Sequence, residues 1–295
     1  MKDQAERLRR IISNLEKDVS ENRRTNRAKV LAVTSGKGGV GKTNVAVNFA
    51  ISLRLLGYKV LILDVDFGLA NVDIITGTNV KNTISDCIKL GLDIEEVINE
   101  GPEGIKIISG GSGFYELSIM NEENIDKFLN LVEKLESTMD FIIIDTGAGV
   151  SNTVLKFVMA AEEAIIVTTP EPTSIMDSYT MIKALMLNGY RGKLNILANI
   201  VNSRREAYSI YNKLETVSQN YLKCNLNFLG YIEKSDTVTK AVRNQTPFIL
   251  FDPKDSISKS IKIMALKFAD PNRYLFNRPK SKFTERLKKL LFSKR

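Results

Sequence analysis

The sequence predicts an α/β fold with a doubly wound, mostly parallel sheet, and three observations predict it. From Lys29 onward, short β-branched apolar runs alternate with segments of helix length. The runs are apolar on both faces, as strands are when helices cover a parallel sheet on each side. A glycine-rich turn separates the first run from the first long helical stretch, at the carboxyl end of a strand, where such sheets bind ligands.

Taken in order, the strand runs cover residues 30–34, 60–64, 105–108, 141–145, 164–168, 194–199 and 227–232. Residues 43–56, 121–137, 174–188 and 204–222 supply helices between them, completing the β-α-β alternation. One domain is expected over 29–270, flanked by a helix and linker at 1–28 and by a linker and amphipathic helix at 271–295. There is no internal repeat and no low-complexity tract.

Hydrophobic residues make up 43% and charged residues 26%, the balance of an ordinary globular chain. Cys87 and Cys224 stand far apart in no C-x-x-C pair, which excludes a disulfide framework and a cysteine-rich metal site. A reduced, cytoplasmic setting is expected. The first ten residues carry no apolar stretch and no 18-residue uncharged apolar run occurs, so neither a signal peptide nor a spanning helix is expected. The net charge of +8 resolves into +4 over residues 1–29, +7 over 278–295 and −3 between them. A body that is nearly neutral argues against a nucleic-acid face, and no nucleic-acid partner is expected.

The glycine-rich turn, Gly36-Lys37-Gly38-Gly39-Val40-Gly41-Lys42-Thr43, matches G-x-x-x-x-G-K-[ST] and stands where the chemistry needs it, between strand and helix. Glycines let successive N–H groups converge on phosphate oxygens while the following helix aims its positive end at the same charge. Lys42 then reaches the β- and γ-phosphates, and Thr43 gives its hydroxyl to magnesium. Lys37 adds a second positive charge suited to the γ-phosphate; taken alone, it could equally be solvated.

Carboxylates end two further strands, Asp64 and Asp66 in one and Asp145 in the other. Asp145 is expected to hold the magnesium shell through water, and Asp66, also near the metal, to orient the attacking water. Asp64 serves either the site or the turn that follows it, as a cap.

On these residues the chain resembles the MinD/ParA family of deviant Walker A ATPases, P-loop NTPases of the SIMIBI class. The resemblance runs through the aspartate loop 64–73, Asp145-Thr-Gly-Ala-Gly149, the Thr169-Pro-Glu-Pro loop and the segment from Leu229 to Pro247. It implies an ATP/ADP cycle with Mg2+ and an ATP-bound homodimer in which Lys37 crosses to the partner's phosphates. It also implies contacts from Asn44, Glu171 and either Asn199 or Asn202, one of the two asparagines lying near adenine. Asn44 departs from the second Thr or Ser common in the family, which bears on the α-phosphate contact.

Within the family the chain is most similar to the flagellar number and placement regulators of the FlhG (FleN, YlxH) type. The carriers are Asp3-Gln4-Ala5-Glu6-Arg7-Leu8-Arg9, Ala70-Asn71 and Thr146-Gly-Ala. This similarity implies that Asp3, Gln4, Leu8 and Arg9 engage the GTPase FlhF and extends the partners to flagellar C-ring proteins. The alternatives are a MinD-like division-site regulator and a ParA-like segregation ATPase.

Leu8, Ile11, Ile12, Leu15 and Val19 recur at helical spacing, so residues 2–20 are expected to form an amphipathic helix. At the other end Phe283, Leu287, Leu290 and Leu291 share a helix face ringed by Lys and Arg. That composition predicts a helix lying reversibly on an anionic membrane surface at the inner face of the cell membrane.

Overall fold

The computed structural model describes residues 27–66, 71–111, 122–269 and 281–292. Asp3, Gln4, Leu8 and Arg9, with the expected N-terminal helix, lie outside the described residues, as do residues 67–70 of the aspartate loop.

All seven expected runs are strands. They are β1 (Lys29–Ser35), β2 (Val60–Val65), β4 (Lys106–Ser109), β5 (Phe141–Ala148), β6 (Glu163–Thr168), β7 (Lys193–Val201) and β8 (Asn227–Glu233). A two-residue β3 (Asn99–Glu100) joins them, too short for any periodicity to announce it. The described strands form one eight-stranded sheet in the order β3-β4-β2-β5-β1-β6-β7-β8. Only β3 runs antiparallel, at the edge beside β4.

Alternation along each strand feeds two apolar layers. Val30, Ala32, Ile142 and Ile144 point to one face; Leu31, Val33, Phe141 and Ile143 point to the other. The second face is covered by α1 (Lys42–Leu55), α9 (Asp236–Arg243), α10 (Phe248–Phe251) and α11 (Ser256–Ala269), where Phe49 and Phe268 meet edge to face at 5.3 Å. On the first face lie α5 (Glu122–Thr138), α6 (Asn152–Ala160), α7 (Pro172–Leu187) and α8 (Arg204–Val217). Short helices α2 (Val72–Thr76), α3 (Ile84–Leu90) and α4 (Ile94–Val97) follow β2. At the start of α3, Thr83 and Asp86 exchange the reciprocal bonds of a capping box.

The C-terminal helix is docked on the body, a packing that its spacing did not announce. α12 (Phe283–Phe292) forms where its periodicity places it, but its apolar face is not turned to a surface. Phe283 and Leu287 are fully buried in the first-face core, and Leu290 and Leu291 pack half-buried against it. Polar contacts fix the dock. The buried carboxylate of Glu136, on α5, accepts from the backbone N–H of Phe283 (2.9 Å) and Thr284 (3.2 Å) and from the Thr284 hydroxyl (2.8 Å). It thus caps the helix from outside, satisfying donors that every helix start leaves open. Arg286 Nε donates to the Ala160 carbonyl at 2.7 Å, and Lys288 pairs with Asp126 at 2.9 Å. A periodic apolar stripe is the same whether lipid or protein covers it, which is why the residues alone suggested a membrane. No helix among the described residues is long and apolar enough to cross one.

Candidate functional site

The carboxyl ends of β1, β2, β5, β6 and β7 meet at one end of the sheet, and the glycine-rich loop lies over them. Two glycines in it are dictated by space and torsion. Gly41 has φ +84, and a Cβ there would stand 2.5 Å from Asn199 Nδ2; a Cβ at Gly36 would stand 2.1 Å from the Asp177 carbonyl oxygen. The loop is therefore clamped between α7 and the end of β7. Asn199 holds it directly, donating from Nδ2 to the Val40 carbonyl at 2.7 Å. Ser35 Oγ donates to the Lys37 carbonyl at 2.8 Å and closes the turn from the other side.

Lys42 and Thr43 open α1 and are both buried. The Lys42 ammonium lies 3.8 Å from Asp66 Oδ2 and 3.7 Å from Asp145 Oδ1, too far for a hydrogen bond to either. Asp64 and Asp145 face each other as register partners on β2 and β5. Asp64 Oδ1 accepts from the Asp66 N–H at 3.0 Å, while its Oδ2 and both Asp145 oxygens are buried with no hydrogen-bond partner among the described residues. Three carboxylates thus surround one lysine. Burial first, and then the Asp145 charge, push the Asp64 carboxyl up to about 7. Burial raises Asp145 as well, against the pull of Lys42.

Orphaned carboxylate oxygens with excess negative charge are what a divalent cation would relieve. Thr43, Asp66 and Asp145 are oxygen donors of the kind magnesium takes. Among the described residues no group of three or more His, Cys, Asp or Glu closes into an all-protein metal cage. The donor set therefore fits magnesium held chiefly by phosphate oxygens and water.

Lys37 turns away from this cluster. Its ammonium meets Glu171 Oε2 at 2.6 Å and Thr173 Oγ1 at 3.1 Å, at the start of α7, and its side chain is 40% exposed. Two cavities adjoin the loop. One, of about 440 Å3, has Lys37, Gly38, Gly39, Val40, Glu171 and Asn202 on its walls. The other, of about 200 Å3, lies behind Gly41 and Asn44 and reaches Asn199 and the turn from β8 to α9. Asn199 and Asn202, which the sequence left equivalent, do different things. Asn199 is bonded to the loop, whereas Asn202 is turned to Glu206, donating its N–H at 2.6 Å and its Nδ2 at 3.2 Å. Lys234, just beyond β8, and Ile200 line the first cavity without having been singled out. Lys234 followed a strand end, the same signal that marked the aspartates.

Comparison with known proteins places the chain in a family. The family model described as ParA, NUBPL iron-transfer P-loop NTPase, matches residues 26–269. The antiactivator FleN of Pseudomonas aeruginosa is 36% identical over 81% of this chain and 85% of its own length. The flagellum site-determining protein YlxH of Helicobacter pylori is 37% identical over 90% of each. Among solved structures, septum site-determining protein MinD complexed with Mg-ADP from Pyrococcus horikoshii superposes with a TM-score of 0.66, at 22% identity, over 85% of this chain and all of that one. With the loop between β1 and α1, the flanking aspartates and these matches in agreement, the chain belongs to the ParA family of P-loop NTPases.

Proposed function

We propose that the protein is an ATP-hydrolysing dimerisation switch that regulates flagellar number and placement. The observation that carries the enzymatic half is the convergence of Lys42, Thr43, Asp66 and Asp145 beneath a loop of backbone amides, with one buried oxygen of Asp64 and both of Asp145 lacking a hydrogen-bond partner among the described residues. The loop N–H groups and Lys42 bind the β- and γ-phosphates, and Asp145 and Thr43 hold the ion's shell. Magnesium, when bound, neutralises charge that builds on the phosphate oxygens. Asp66 orients water in line with the γ-phosphorus; the water oxygen bonds to phosphorus as the bond to the bridging oxygen breaks, giving ADP and phosphate. Glu171 holds Lys37 in its own chain until a second copy brings γ-phosphate within its reach. The names of FleN and YlxH, relatives matched over most of the chain, support the flagellar half.

Partner engagement completes this reading. Residues 3–9 stimulate FlhF, and C-ring proteins are further partners. Membrane attachment uses α12 only after it leaves its dock, because Phe283 and Leu287 cannot serve the core and a lipid surface together. ATP-driven dimerisation then presents two such helices, raising avidity. The test of the switch is phosphate release by the full chain with ATP and Mg2+, repeated with Asp66→Ala. The variant is expected to keep ATP and to lose hydrolysis by about a hundredfold or more; undiminished turnover contradicts the assignment of Asp66.

A further inference from the structure

We propose that Thr146 is a positioning residue for hydrolysis: its buried hydroxyl ties a bulge of β5 to β1, and the Asp66 carboxylate lies against that bulge. The role depends on the assignment of Asp66 above. The two strands do not pair evenly. Val33 on β1 pairs with Asp145 on β5, and Ser35 pairs with Ala148, so Thr34 alone faces both Thr146 and Gly147. One extra residue on a strand makes a bulge, which is rare between parallel strands and beside a functional site re-aims a side chain. This one falls directly after Asp145. Beyond it the Gly149 N–H donates to the Ser35 carbonyl at 2.9 Å and returns the chain to β1.

Thr146 and Thr34 are both fully buried. Three acceptors lie within reach of the one Thr146 hydroxyl proton: the Gly147 carbonyl at 2.9 Å, the Thr34 hydroxyl at 3.1 Å and the Val33 carbonyl at 3.2 Å. Two of the three belong to β1, the strand that enters the phosphate loop, so the hydroxyl fixes the bulge relative to that loop. The bulge in turn bounds Asp66. Thr146 pairs across its other edge with Val65, the residue before Asp66, and a Cβ at Gly147 would stand 3.5 Å from Asp66 Oδ1. Lys42, at 3.8 Å, is too far to hold that carboxylate by a hydrogen bond, which leaves its placement to the backbone beside it. A misplacement of about 1 Å in a group that orients a reactant costs up to about a hundredfold in rate.

The test measures kcat for ATP hydrolysis and, by calorimetry, affinity for a non-hydrolysable ATP analogue with Mg2+, on full chains kept well below their Tm. Thr146→Val exchanges the hydroxyl for a methyl at nearly constant volume. It is expected to lower kcat about tenfold or more while affinity stays within about twofold of wild type. Thr146→Ser, which keeps the hydroxyl, is expected to restore kcat to within about threefold of wild type. Thr146→Ala carries the same prediction as the valine variant should that one not fold. Added to Asp66→Ala, Thr146→Val is expected to cost no further rate, because a positioning residue acts through the group it positions. Undiminished kcat in Thr146→Val, an equal loss of kcat and affinity, or losses that multiply in the double variant would overturn the positioning role and leave the nucleotide site standing. Wild-type protein without hydrolysis, or Asp66→Ala at full rate, overturns the reading of Asp66 and this inference with it.

Discussion

Lys42 is the residue on which the site's charge balance turns. It is the one described cation within 4 Å of both Asp66 and Asp145, and it sits where a helix start already favours negative charge. Lys42→Ala removes that cation from beside three buried or half-buried carboxylates and from any phosphate on the loop. ATP binding, read by calorimetry, is expected to fall by at least a hundredfold, about 3 kcal/mol; retained affinity would contradict the phosphate assignment. Asp64 gives a second prediction, from pH. Its carboxyl binds a proton more tightly folded than unfolded, with the pKa raised from 3.8 to about 7. Its contribution to stability is therefore most favourable below about pH 4 and declines as pH rises toward 7, where the folded state is left with an ionised, crowded carboxylate. Asp64→Asn keeps the acceptor used by the Asp66 N–H and removes the charge. In urea unfolding without Mg2+, the variant should gain on wild type from pH 5 to pH 8, reaching roughly 2 kcal/mol. Parallel stability curves would show that the crowding of these carboxylates costs nothing.

At the scale of elements, α12 shows what a single sequence reveals and what it hides. Spacing of Phe283, Leu287, Leu290 and Leu291 was enough for the helix and its apolar face, because period alone encodes both. What covers that face was not legible, since the cap comes from Glu136, 147 positions away from Phe283. The strands were legible for the opposite reason: residues buried on both sheet faces leave continuous apolar runs that need no partner to be recognised. β3, with two residues, left no such trace. The phosphate loop and aspartates were readable because glycine, lysine and carboxylate have few reasons to stand at strand ends. The left-handed backbone of Ile200 was not, because it arises at a bulge that only the pairing of β7 with β8 creates. Glu136→Ala removes three accepted hydrogen bonds and leaves their donors buried, so α12 should loosen by about 2–3 kcal/mol. Amide exchange over 283–292 should accelerate accordingly, and sedimentation with anionic vesicles should increase. Faster exchange without added vesicle binding would leave the helix a structural element of the core and remove the membrane step from the proposal.

For the whole molecule, the sheet carries its chemistry at one end while α12 runs over the helices of one face, so nucleotide and helix dock are separate parts of one body. In the proposed switch, Lys37, 40% exposed beside the phosphate loop, is the residue that a second copy brings into use. Deleting residues 1–20 is expected to leave ATP binding intact and abolish stimulation of FlhF, measured as GTP hydrolysis; undiminished stimulation would detach the flagellar role from that segment. The most direct measurement of the central claim is sedimentation velocity of the Asp66→Ala protein with ATP and Mg2+, beside the same protein with ADP and beside the Lys42→Ala variant with ATP. The account predicts a dimer only in the first sample, with one nucleotide bound per chain. A monomer in all three, or a dimer indifferent to nucleotide and to Lys42, would contradict it.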